Sequence, residues 1–241
     1  NPSQFKGKNK PVDSVDISDI LIFCNKLSEM CGLRPVYLIN GETDFRKINH
    51  YEMKRIVYRH QYYFWCDYSK NGNGFRLPTE EEWMYCAKGG KKYKYSGSDN
   101  LDEVGWYSGN SGDKTHEVAT KKANGYGLYD MSGNVEEVIK YGDNPDDRQN
   151  LKWDTIGGGY DYNDRSCELG RHNDSFEAVI NAEEGFGFRI VCNVPSVKDI
   201  VTAGEKKKNF KEQFNNLKNE KLDMIQIPNT NYAILKTEVT Q

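Results

Sequence analysis

The sequence predicts an α+β fold built from short elements and long ordered connections. Two amphipathic segments carry helix-capping signals, near residues 18–31 and 79–88. From Lys91 to Val194, Gly, Asn, Asp and Ser interrupt apolar segments only a few residues long, the pattern of many short strands joined by polar loops. Sixteen Tyr, four Trp and ten Phe supply aromatic core area, since each ring removes a large surface from water. With 241 residues, 37% of them hydrophobic and 29% charged, one large domain or two small ones are possible.

The first helix is expected over 18–31. Ser18 is a suitable N-cap, Ile20, Leu21, Cys24, Leu27 and Met30/Cys31 recur at helical spacing, and Gly32 suits a left-handed stop. The aromatic stretch Tyr58 to Trp65 reads equally as strand or helix, because periodicity does not decide between them. The second helix is expected to start at Thr79. Thr79 with Glu82 three residues later forms a capping box, and Glu80 and Glu81 suit the positive end of the helix dipole. Trp83, Met84, Cys86 and Ala87 supply an apolar face, and Gly89-Gly90 ends the helix. Short strands are expected at Val104–Tyr107, Glu117–Thr120, Thr155–Ile156 and Phe186–Cys192. Residues 205–221 are rich in Lys, Glu and Asn, with Phe210, Phe214 and Leu217 at helical spacing, and read as a solvated linker helix.

Charge and cysteine usage exclude several functions. A net charge of −3 argues against a nucleic-acid-binding stripe. No apolar run approaches the roughly 20 residues that span a bilayer. The chain begins at Asn1 without a signal peptide, so its compartment has to be inferred. Cys24, Cys31, Cys66, Cys86, Cys167 and Cys192 include no C-x-x-C pair, which argues against a zinc cluster. They read either as buried small hydrophobes or as one or two disulfides of an oxidising, extracytoplasmic compartment.

Three blocks in fixed order carry a family resemblance: Phe75-Arg76-Leu77-Pro78-Thr79-Glu80-Glu81-Glu82-Trp83, Asn124-Gly125-Tyr126-Gly127-Leu128-Tyr129-Asp130-Met131-Ser132-Gly133-Asn134, and Gly185-Phe186-Gly187-Phe188-Arg189. Together they resemble the formylglycine-generating enzyme, or sulfatase-modifying factor, domain of the C-type-lectin-like group. The resemblance implies a compact fold with two main helices, short antiparallel sheets and much ordered coil over residues 1–195, followed by a charged linker over 196–221. Residues 222–241, which end in Glu238-Val239-Thr240, resemble the family's opening strands. They imply either the start of a tandem copy or a permuted domain, pairing within the chain, with a neighbouring copy or in a strand-swapped dimer.

In the active enzymes a copper(I)-binding cysteine pair follows a Gly-Gly-Ser step. The matching stretch, Gly157 to Arg171, holds Cys167 alone, which matches the family's structural cysteine. Copper chemistry and formylglycine generation from a sulfatase cysteine are therefore not expected. Glu136 and Val138 stand where the family has tryptophans, and Ile156 where an Arg is usual. The resemblance further implies calcium held by the side chains of Asp130 and Glu137 and the carbonyls of Gly133 and Val135, hard oxygen ligands that suit that ion. The alternative is an ordinary polar turn. It also places Cys86 with Cys167 and Cys24 with Cys192 near positions bridged in some members, against the alternative of free thiols. Trp83, Trp106, Trp153, Phe186 and Phe188 are expected in the core, with Arg189 beside it donating to loop carbonyls.

The loop 159–184, with Tyr160, Asp161, Tyr162, Asn163, Asp164, Arg165, His172, Asn173 and Asp174, reads either as a recognition surface, from its Tyr and small polar residues, or as a merely solvated loop, which composition alone favours slightly. The favoured expectation is a non-catalytic module displaying this loop to a protein or glycan. An oxidase of the family and a structural repeat unit are the alternatives.

Overall fold

The computed structural model describes residues 2–39, 42–44, 66–69, 72–141, 152–172, 182, 184–193 and 222–240. Tyr58 to Trp65, the linker 196–221, Asn173 and Asp174 therefore lie outside the described residues. Helix α1 runs Ile17–Met30, with Asp16 rather than Ser18 as its N-cap. Asp16 accepts from the backbone N–H of Asp19, and Ser18 Oγ donates to the same carboxylate. Asp and Ser rank alike as caps, and position decides: Asp16 has the extended backbone of a cap, whereas Ser18 already lies inside the helix. Gly32 takes the left-handed conformation expected of the stop, at φ +69°.

Strands β1 (Tyr37–Ile39) and β2 (Cys66–Tyr68) form an antiparallel pair. Then come β3 (Phe75–Arg76), α2 (Glu80–Lys88) and the single-turn α3 (Leu101–Val104). The capping box at α2 is complete: Thr79 Oγ1 accepts from the Glu82 N–H and Glu82 accepts from the Thr79 N–H. Glu82 is also clamped by Arg76 through both guanidinium nitrogens, at 2.6 and 2.7 Å. Burial alone would raise its pKa; Arg76 and the hydrogen bonds from Thr79 together outweigh that and hold it below the usual range.

Strands β4 (Glu136–Tyr141), β5 (Lys152–Ile156) and β6 (Phe186–Gly187) make one sheet in the order β5-β4-β6. Here β4 and β6 run parallel, while the remaining strand pairs are antiparallel as expected. The third sheet joins β3, β7 (Val191–Asn193), β9 (Tyr232–Leu235) and β8 (Met224–Gln226) in the order β3-β7-β9-β8. The segment after residue 221 thus pairs with the body of its own chain, inside the sheet.

Among the expected strands, Thr155–Ile156 lies in β5, and Phe186–Cys192 contributes β6 and β7. Val104 instead ends α3, and 105–107 and 117–120 are loop and turn. Trp83, Trp153, Phe186 and Phe188 are buried as expected. Trp106 is only partly buried. Its ring stacks on His116 at 3.7 Å and carries the Lys121 ammonium 3.9 Å from its centroid, so polar neighbours cover a ring that the loop brings to the surface.

Candidate functional site

The second block forms a loop that delivers a polar junction to the centre of the molecule. Asp130 and Asn134 both adopt left-handed backbone, at φ +57° and +68°, conformations that Asp and Asn tolerate better than most residues. Between them Gly133, at φ +92°, lies so close to the Trp106 carbonyl that a Cβ would meet it at 2.3 Å. Glycine is required there. Asn134 accepts from the His116 N–H at 2.9 Å and donates to Glu238 Oε1 at 3.3 Å.

From β4, Glu137 accepts from the Nε of Arg189 at 2.7 Å and from Trp83 Nε1 at 2.6 Å. Arg189 is fully buried and also donates to the carbonyls of Tyr129, Leu235 and Lys236. It thus acts as the carbonyl donor the sequence suggests, with a buried carboxylate partner added. Asp130 accepts from the Ala119 N–H at 2.7 Å, yet its Oδ1 is buried with no donor. Glu238, at 0% exposure, has Oε2 in the same condition. Burial first, with Glu137 also repelling it, pushes Asp130 up to about 6 despite the opposing Ala119 N–H and the positive charge of Arg189. Burial and then Asp130 push Glu238 well above the usual carboxylate range. Three buried carboxylates thus share one arginine, and a hydrogen bond between Asp130 and Glu238 requires a proton on one of them.

These oxygens bear on the calcium set. Asp130 retains an available oxygen, whereas both oxygens of Glu137 are engaged by Arg189 and Trp83. Among the described residues, no three His, Cys, Asp or Glu side chains are grouped to hold a metal ion. Glu238 and Asn134 were not singled out as site residues from sequence, although the Glu-Val-Thr step had marked the segment that carries Glu238.

The surface expected to bind ligand begins where β5 ends. Gly158, at φ +68°, lies against Cys167, whose Sγ a Cβ there would meet at 2.8 Å. Tyr160 is buried and edge-on to Phe5 at 5.4 Å, so it forms the floor of the surface rather than its face. Burial and then Asp161 push its phenol up to about 12. Asp161, Asn163, Asp164 and Arg165 are exposed and Tyr162 is partly so. Asn163 caps the 3-10 turn Asp164–Cys167 by accepting from the Ser166 N–H at 3.1 Å. His172 sits apart, its ring nitrogens 2.8 Å from Asp154 and 3.0 Å from Glu80. Burial opposes charge on this imidazole, but the two carboxylates prevail and its pKa is raised.

The cysteines stand separately. Cys24, Cys86, Cys167 and Cys192 are free and buried, in place of the bridges that the resemblance suggested. Cys86 Sγ is turned to the Tyr232 hydroxyl at 3.9 Å and Cys192 Sγ to the Asn73 carbonyl at 3.8 Å. Burial pushes the Cys86, Cys167 and Cys192 thiols up to about 12 and Cys24 higher still. Thiols held so far from ionisation are poor nucleophiles and poor metal ligands.

The fold and the three blocks define a class: a lectin-like scaffold of the sulfatase-modifying factor type. A profile of the sulfatase-modifying factor enzyme 1-like domain matches residues 1–194, and the chain belongs to that family. It is 37% identical over 181 residues to chaperone protein LppX of Paenibacillus barcinonensis, covering 66% of this chain and 62% of that one. It is 40% identical over 77 residues to inactive C-alpha-formylglycine-generating enzyme 2 of Bos taurus, covering 27% of this chain and 26% of that one. The chain therefore spans less than two thirds of the length of these relatives. Among solved structures, Treponema denticola variable protein 1 aligns with TM-score 0.64 at 31% identity, covering 80% of this chain and 77% of the other. CarF aligns with TM-score 0.54 at 28% identity, covering 79% and 70%. Among the described residues, no helix is long and apolar enough to cross a membrane.

Proposed function

We propose that this chain is a non-catalytic member of the family that uses its scaffold to present the exposed loop 161–165 to a protein or glycan ligand. One observation carries the reading. The interval from Gly157 to Arg171 holds Cys167 alone, and that thiol is fully buried and pushed up to about 12. A thiolate that must meet copper and oxygen needs access and a lowered pKa. The exposed Asp161, Asn163, Asp164 and Arg165, backed by the buried Tyr160, supply adaptable polar contacts on a rigid floor. The direct test is a glycan-array screen of the purified chain, repeated with Asp161, Asn163, Asp164 and Arg165 all replaced by Ala. Binding lost in a variant that melts like the parent supports the surface; binding retained refutes it.

Calcium belongs to the same proposal as a structural ion. The carbonyls of Gly133 and Val135, Asp130, and Glu238 in place of the engaged Glu137 would hold it. It would supply positive charge where two buried carboxylate oxygens lack a donor. The reading predicts a higher melting temperature with calcium than with a chelator, and loss of that difference in Glu238→Gln.

A further inference from the structure

Strand β9 comes from the last part of the sequence, yet it is an interior strand. Val191, Cys192 and Asn193 of β7 pair with Ile234, Ala233 and Tyr232 on one side, and β8 pairs on the other. Its alternating side chains enter two different cores. Tyr232 and Ile234 join the cluster around Trp83 and Met131, while Leu235 joins the cluster around α1. Past β9 the main chain stays pinned. Tyr129 N–H donates to the Lys236 carbonyl at 3.1 Å, Val239 N–H to Phe188 at 2.9 Å, and Val12 N–H to Val239 at 2.7 Å. Glu238 then reaches Asn134, and Arg189 reaches the carbonyls of Leu235 and Lys236.

All of these contacts are non-covalent. The chain that leads from β7 to β8 is residues 194–221, which reach on the order of 90 Å when extended. Strands two places apart in a sheet need only about 10 Å. A connection of that length can reach the site without being taut, so its length alone does not force the hairpin onto this edge.

We propose that residues 222–240 are a docking hairpin, and that residues 2–193 carry a dedicated binding site for it. The site comprises the edge of β7, the Asp130–Asn134 loop and Arg189. Recognition is strand addition: main-chain pairing supplies affinity, and the pockets for Tyr232, Ile234 and Glu238 supply specificity. This goes beyond the ligand-display reading and does not depend on it.

The experiment uses the full chain with a protease site placed within residues 196–221. After cleavage the two pieces should stay together in native mass spectrometry. The melting midpoint should fall and become dependent on concentration across about a hundred-fold dilution, as for any bimolecular complex. An isotope-labelled synthetic peptide spanning 222–241 should replace the cut hairpin. The same peptide with Glu238→Ala should compete about ten-fold less well, since it leaves Asn134 short of an acceptor. The inference is overturned if cleavage unfolds the body and excess peptide fails to restore it. It is equally overturned if the hairpin washes away with no change in melting.

Discussion

Glu137 shows how one residue can combine opposite tendencies. Its carboxylate is 1% exposed, which is costly, but Arg189 and Trp83 saturate its oxygens. Removing one partner of such a pair leaves the other charge buried alone, a loss of about 3–5 kcal/mol. Arg189→Ala should therefore lower stability by about that amount in urea unfolding, and a change under about 1 kcal/mol would contradict the assignment. His172 makes a smaller and pH-dependent contribution. Its folded pKa is raised by Asp154 and Glu80, so the stability it adds is fully present below the unfolded value and disappears as pH rises through the folded one. His172→Gln should thus cost about 1 kcal/mol near pH 5.5 and much less near pH 9, measured by denaturation at both. At this scale the sequence showed which residues mattered more often than what they touch. Asp130, Glu137 and Arg189 were all legible, but the pairing of Glu137 with Arg189 depends on tertiary placement of β4 against the residues after β6. Tyr160 reads as a surface residue from composition, and only the packing of Phe5 against it makes it a floor.

At the scale of elements, local chemistry was legible where it was complete within a few residues. The Thr79–Glu82 box marks α2, and Thr79→Ala should destabilise by about 1 kcal/mol through loss of the cap, read as a shift of the urea midpoint. The boundary of α1 moved because Asp16 and Ser18 are both capping residues of similar strength, and the extended backbone of the cap falls at Asp16. Strand expectations at 104–107 and 117–120 failed for a common reason. Short apolar runs become strands only where a partner edge exists, and those residues are fixed instead by bonds such as Asn134 N–H to the Trp106 carbonyl. The terminal hairpin was legible as strands but not in its placement. An interior position for β9 depends on an open edge at β7, which is a property of the assembled sheet.

For the molecule as a whole, the three sequence blocks meet around one buried junction: Trp83 from the first, Asp130 and Asn134 from the second, Arg189 from the third. The blocks hold each other through Glu137 and the hairpin, without needing a reactive thiol. The fold was readable because its signals are local and ordered along the chain. The exposed loop 161–165 carries no such signal, because exposed polar side chains constrain packing little and so leave little pattern. The most direct measurement of the central claim is mass spectrometry of a cysteine-containing sulfatase peptide incubated with this protein, copper(I) and oxygen. An unchanged cysteine is the result predicted for a domain whose matching interval offers one deeply buried thiol. Conversion of that cysteine to formylglycine, abolished by Cys167→Ser, would contradict it.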